Sequence, residues 1–506
     1  MRFLAITCLV LALGSAAWAD APPGDCEGHD PVLIKQGCTA ILAAGQTMQS
    51  LDFEAYGNRA LAELALHEPE AALQDALAAL TLNPESGPTH LALARIYLVL
   101  DQPAKALAAA NQAIILSPNN AEAYVLLGNL QLARGDWQAS IAELNRALAR
   151  DPTSAAAYME QAMAQMSGHN IKLALADANQ AASLGSTDPR VHLVREMAAA
   201  TDDNWRVALV ESNQYLTQDP DNVYALLVRS QAQLTLGNAA GALETINHAI
   251  GILPSEPNLY VQRAAIEDAA NQPQAEIADL TNAITLAGHG QDQDKLYNAL
   301  LLRAQAYLQI KQTEKAQADI AQAITVSPKM PQAYLARAVL ARLAGHLDAA
   351  LADDQKAITL DPHNIQAYMD LSVVHDLQHN YAAAAEDEAE ILKIQPDSAL
   401  DLNNRCWFLA LDGKLTQALS YCQQALKIKP NDPATLDSTG FVYLRMNDNQ
   451  RAVHFYTLAL KADPKMASSL YGRGLAQQKL GQSKAAASDI ALAKKYDPDV
   501  EKDFGT

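Results

Sequence analysis

The sequence is short of aromatic residues, which make up 5% of its 506 positions, and short of cations, so that acids leave a formal net charge of -20. Nucleic acids are held by clustered positive charge, and this balance excludes them as partners. Acidity also works against anionic membrane surfaces. The apolar run near the start is too short to span a bilayer and no other segment looks transmembrane, so stable membrane insertion is not expected. Gly-rich phosphate loops, serine elbows and Cys/His nucleophile pairs are missing, and with them the usual grounds for expecting an enzyme or a cofactor. β-Branched patterning is sparse while half of the residues are apolar, rich in Ala and Leu. That composition predicts an all-α protein with enough apolar surface for a large core.

The chain opens as an exported protein would. Met1-Arg2 is a short positive start, Phe3 to Leu13 is apolar, and Ala17-Trp18-Ala19 reads as a cleavage site before Asp20. Residues 1–19 are expected to be a signal peptide, and the periplasm is the expected address, with secretion as the alternative. Cys8 lies within the apolar run rather than at a lipoprotein cleavage box. Four cysteines remain, as two local pairs, Cys26/Cys38 and Cys406/Cys422. In an exported chain these most simply form two disulfides, with a metal site as the alternative.

What is abundant is repetition. The stretch Ala399 to Asp432 shows helical apolar spacing from Leu402 to Leu411, a turn at Asp412-Gly413, a second amphipathic run from Leu415 to Ile428, and a stop at Pro430. Units of the same 34-residue length begin at 53, 87, 121, 155, 189, 223 and 257, and again at 297, 331, 365, 399, 433 and 467. Of these 13 units, position 20 is Ala in 11, position 27 is Ala in 11, position 32 is Pro in 11, and position 8 is Gly, Ala, Ser or Cys in 12. Small residues at those places let two helix axes approach closely.

A helix–turn–helix of this length with these columns resembles the tetratricopeptide repeat. The unit at 121 carries the pattern as Tyr124, Leu127, Gly128, Gly135, Ser140, Ala147 and Pro152. The resemblance implies a right-handed superhelical solenoid of antiparallel hairpins whose concave face is lined by the first helix of each unit. It also implies that proteins or extended peptides bind there.

The expected organisation is a lead-in and capping helix over 20–52, one array over 53–290, an insertion at 291–296, a second array over 297–500, and a tail at 501–506 too short for an appended catalytic domain. Asp30-Pro31 should open the capping helix, which runs to about Ala44, with Cys26–Cys38 fastening the lead-in to it. Glu196 and Tyr215 stand where small residues belong, and Glu276 and Gly288 break the columns before the insertion, so 285–296 is either a bend or a tolerated surface loop.

Arg recurs at position 7 and Asp at position 23. Both occur together in Arg59/Asp75, Arg263/Asp279, Arg303/Asp319, Arg337/Asp353 and Arg473/Asp489, always 16 apart. That spacing returns the second helix to the level of the first, so ion pairs within each hairpin are expected. Cys406/Cys422 has the same separation one column over, which gives the second disulfide a geometric basis.

The expected partner-binding face is richest near the end of the array. Asn403, Asn404 and Trp407, then Asp437, Phe441 and Arg445, then Tyr471 and Lys479 occupy first-helix positions on the concave side. Amides suit the backbone of an extended peptide and rings suit its apolar side chains; the alternative for Trp407 and Phe441 is packing between repeats. Met159, Met163, Met166 and Met197 form a second, weaker candidate. His375 and His379 have the spacing of a zinc pair, but Asp376 stands where the zincin motif needs Glu, and no third ligand accompanies them, so no metal is expected. Trp137 and Trp205 share position 17 and are expected to pack the turn. The sequence therefore reads as a non-catalytic scaffold of the bacterial cell envelope. Its alternatives are a component of an envelope-assembly or polysaccharide-export machine and, from another class, a hydrolase or metal protein on the same superhelix.

Overall fold

The computed structural model describes residues 26–44, 49–290 and 292–504. The expected signal peptide and cleavage site, most of the lead-in before Cys26, Gln291 of the insertion and the final two residues lie outside the described residues. Among the described residues there are 27 α-helices, one short 3-10 helix at Val500–Phe504, and no strand. They form two compact blocks, one ending at Ser255 and the other beginning at Glu256, so the division falls between two repeats.

Within each block every expected unit is one helical hairpin. Its first helix starts where the capping chemistry allows. Ser86, Asn120, Ser154, Asn222, Asn364, Ser398 and Asp432 each accept a hydrogen bond from a backbone N–H of the first turn. Pro257, Pro331 and Pro433 occupy the first helical position, where a missing N–H is no loss.

The turn has one cause throughout. The fifteenth residue of every repeat has positive φ, from His67 and Asp101 to Gly413, Asn447 and Gly481. A left-handed residue there lets the next N–H reach back five residues, as Lys414 N to Leu409 O at 2.9 Å and Asn380 N to His375 O at 2.8 Å. Only glycine takes this conformation without strain, yet Lys311 holds it at φ 61°.

The two helices of a hairpin then meet on their small residues. Ala60, Ala94, Ala162, Ala304 and Ala338 of the first helices, and Ala72, Ala106, Ala174, Ala316 and Ala350 of the second, are buried. Where a repeat places something large in the seam, a glycine faces it. The buried Tyr456 ring fills the space that a Cβ on Gly440 or Gly472 would need.

All five expected Arg–Asp pairs form, each as a two-toothed fork. Arg303 Nε and Nη2 donate to Asp319 at 2.8 and 2.7 Å, and Arg337 to Asp353 at 2.7 and 2.7 Å. Arg59–Asp75, Arg263–Asp279 and Arg473–Asp489 match them. Each aspartate is buried or nearly so, which makes the fork a device for setting hairpin register rather than a loose surface contact.

The helix expected to open at Asp30-Pro31 spans Pro31–Ala43, with the Asp30 side chain accepting from Val32 N at 2.9 Å. The Sγ atoms of Cys26 and Cys38 are 2.07 Å apart, and the Cys26 carbonyl accepts from Asn58 Nδ2 at 3.2 Å. Around the insertion the neighbouring helices are longer than their counterparts, Pro273–Gly290 and Gln293–Gln309. With Gly288 in the proline column nothing stops the first of them, and Asp292 caps the second, so most of the extra residues are helical.

Candidate functional site

The second block sets the geometry of the expected face. The first helices Ala399–Leu411, Pro433–Arg445 and Ala467–Lys479 touch one another in succession, whereas their second helices pack mainly on the first helices beside them. The stack is therefore tighter on the first-helix side, and residues four apart on these helices share that side.

The aromatic members of the expected set come together. The Trp407 and Phe441 rings lie 4.8 Å apart, and the Arg445 guanidinium stands 5.6 Å from the Phe441 ring. Phe441 is only 1% exposed, Trp407 is half-buried and Arg445 is exposed. Tyr471 is buried one helix further on. Its link to Phe441 comes from the stretch after the last repeat. Phe504 lies 5.2 Å from the Tyr471 ring and 5.5 Å from that of Phe441. A lone phenylalanine just beyond the last repeat was the one available signal of this.

The amides belong to a buried polar seam. Asn404 Nδ2 donates to Glu388 Oε1 at 3.4 Å, and Ser372 Oγ donates to the same oxygen at 2.9 Å. Burial pushes the Glu388 carboxyl up to about 7, with its hydrogen bonds working the other way. Asn403 is 9% exposed and its Oδ1 has no hydrogen-bond partner among the described residues. Asp437 accepts a short hydrogen bond from Ser469 Oγ on the next first helix. Lys479 Nζ reaches Asn447 Oδ1 at 3.4 Å.

Behind Trp407, Cys406 and Cys422 bring their Sγ atoms to 2.01 Å with Cα atoms 5.3 Å apart, so the pair spans the hairpin that carries Trp407. On the two preceding first helices the face continues as exposed apolar side chains. Leu343 is 72% and Leu377 51% exposed, and Met369 and Val373 accompany them.

The other candidates separate. Met159 is in the core, while Met163 and Met166 pack against it half-buried. His375 Nδ1 pairs with Asp387 Oδ2 at 2.6 Å, while His379 Nδ1 meets the Tyr381 hydroxyl at 3.0 Å from a left-handed turn, so the two rings serve different partners. Trp137 lies where a Cβ on Gly168 would collide with its ring, and Trp205 packs beside Ala199 and Ala208.

The family model described as tetratricopeptide repeat matches residues 57–121, 91–155, 125–189, 301–365 and 440–499. No curated protein matches the chain. Among solved structures, the chain is similar to the APC/C hetero-tetramer Cut9-Hcn1 at 13% identity and TM-score 0.35, covering 92% of this chain and 98% of that one. It is similar to pilF of Pseudomonas aeruginosa at 20% identity and TM-score 0.35, over 41% of this chain and 94% of that one. The TPR protein YrrB, whose structure is described as having an unusual peptide-binding site, matches at 20% identity and TM-score 0.30, over 37% of this chain and 96% of that one. Likenesses of this strength carry no functional argument.

Proposed function

The chain belongs to the tetratricopeptide-repeat family, and on that premise we propose that it is a non-catalytic protein- or peptide-binding scaffold of the bacterial cell envelope. The observation that carries the reading is the first-helix face of the second block. Apolar side chains stand exposed at Leu343, Met369, Val373 and Leu377, and the face then deepens into the rings of Trp407 and Phe441. Large apolar side chains exposed on successive first helices are the kind of surface an interaction site offers. Asn403, Asn404, Asp437, Arg445 and Tyr471 complete the proposed contact set.

Both cysteine pairs, at disulfide distance, are read as bonds formed in an oxidising compartment, which supports export. No helix among the described residues is long and apolar enough to cross a membrane.

The face is tested by placing a photo-crosslinking residue at Leu377 and, as an outer-face control, at Lys461, in the full chain expressed in a Gram-negative envelope. Discrete protein adducts from position 377 and none from 461 are expected. Equal labelling from both positions, or labelling from 461 alone, refutes the assignment of the face.

A further inference from the structure

The turn Val500–Phe504 makes two contacts of different kinds. Val500 is buried among Leu460, Leu470, Tyr471 and Ala493, where it covers the apolar end of the last hairpin. That is what a terminal repeat needs from whatever follows it. Phe504 goes further. It reaches over the last first helix, placing its ring against Tyr471 and, edge-on, against Phe441 of the helix before. An aromatic side chain on a short segment thus already occupies a cradle built from proposed contact residues, in the edge-to-face geometry that aromatic pairs favour.

Two groups beside the cradle are left unserved by this occupant. Arg445, exposed above the Phe441 ring, has no ion-pair partner among the described residues. The Oδ1 of Asn403, one turn before Trp407, is buried with no hydrogen-bond donor among the described residues. A longer segment lying along the face would meet both, giving a carboxylate to Arg445 and a backbone N–H to Asn403, before reaching the exposed apolar side chains of Val373 and Leu377.

We propose that Val500–Phe504 is a built-in occupant of the Trp407–Phe441–Tyr471 cradle, and that the partner is a peptide segment whose aromatic side chain, flanked by an acidic residue, takes the place of Phe504. The proposal rests on the first-helix face being the binding surface. A tethered occupant acts at millimolar effective concentration, so it sets a threshold that weak or non-aromatic segments do not pass. The turn is short and Val500 is buried beside Leu460, Leu470 and Ala493 as well as Tyr471, so Phe504 can leave while Val500 keeps the hairpin covered.

The test uses the full chain and a fluorescein-labelled peptide of residues 498–506, read by anisotropy beside the same peptide with its phenylalanine replaced by alanine. The Phe504→Ala protein is expected to bind the peptide about tenfold or more tightly than wild type does. Replacing the peptide's phenylalanine should abolish binding, and Trp407→Ala on the Phe504→Ala background should weaken it about tenfold. Where circular dichroism shows that Phe504→Ala has lost helix, Phe504→Leu takes its place, because it keeps an apolar contact while giving up the ring pairing. A helical variant that binds no peptide, binds both peptides alike, or binds no better than wild type overturns the proposal. If that happens while position 377 still crosslinks to partners, the occupant falls and the face stands; if crosslinking fails as well, both fall.

Discussion

Glu196 gives the sharpest prediction, because the repeat wants a small residue where it stands. It is fully buried, and neither carboxylate oxygen has a hydrogen-bond partner among the described residues. Burial, and secondarily the charge of Glu211, pushes its carboxyl from 4.5 up to about 9. Glu211 is itself engaged with His192 at 2.6 Å, and Tyr224 is pushed up in turn by burial and by Glu196. At neutral pH Glu196 is therefore protonated in the folded chain and ionised in the unfolded one. The unfolded state releases its proton as pH rises past 4.5, while the folded state holds it until about 9. The group's contribution to stability is thus fully present below pH 4.5 and drains away across that window. Each pH unit is worth about 1.4 kcal/mol, so by pH 7 the loss is about 3 kcal/mol.

Glu196→Gln keeps the shape and neutrality of the protonated side chain and removes the titration. It should match wild type near pH 4.5 and exceed it by about 3 kcal/mol at pH 7. Urea unfolding at half-unit pH steps, followed by far-UV circular dichroism and by the fluorescence of Trp205 on the second helix of the same hairpin, measures the difference. Other buried carboxyls, such as Asp354, pushed up to about 8 chiefly by burial, titrate equally in both proteins and cancel. A wild-type-minus-Gln difference that stays flat between pH 5 and 8 would show that Glu196 ionises in place and that the desolvation argument is wrong.

Three further outcomes are expected. Arg303→Ala leaves Asp319 buried without its fork and should cost about 3 kcal/mol, whereas Arg337→Ala, where the arginine is 46% exposed, should cost about 1 kcal/mol; equal losses in urea melts would contradict a register role tied to burial. Lys311→Gly relieves a left-handed turn at an exposed position and should stabilise the chain by about 1 kcal/mol in the same assay, against no gain if the turn is unstrained. Reduction of Cys406–Cys422 should cost about 3 kcal/mol and weaken binding at the Trp407 face while helicity persists; unchanged binding in fully reduced protein would remove the bond from any role at the site.

The hairpins, their seams and the Arg–Asp forks were legible in the sequence because each is decided within a single 34-residue unit. Ala60 and Ala72 are buried together at a separation most copies repeat, and Arg59 meets Asp75 at one five copies repeat, so the columns report the contacts directly. The helical turns around the insertion were less legible. Only the replacement of the stopping proline by Gly288 hints that the helix Pro273–Gly290 runs on, and a missing stop is a weak signal beside a run of Gly and polar residues. The partner of Asn404 was hidden for another reason. Glu388 lies on the second helix of the preceding repeat, and no column pairs amide with carboxylate across that seam. Phe504 was hidden most of all, since its neighbours depend on where the chain turns after the last proline.

These failures share a cause that bears on function. The positions that repeat, 7, 8, 15, 20, 23 and 27, are consumed by architecture. They make one hairpin like the next and carry no information about a ligand. On the proposed function, specificity falls to first-helix positions that differ from unit to unit, and there the chain puts Met369 and Val373, Asn403 and Trp407, Asp437 and Phe441, then Tyr471. The change along this series, from exposed aliphatic to buried aromatic, gives the face a direction. The Cys406/Cys422 pair sits at its midpoint, in the column where Gly440 and Tyr456 interlock one repeat later. The aromatic end is thus the most deeply packed part of the surface, and a packed cradle has least freedom to lose on binding. It follows that a partner should be anchored by its aromatic residue first and laid down toward Leu377 afterwards, and that shortening a bound peptide from the Leu377 end should weaken it gradually, while loss of the aromatic should abolish binding at once.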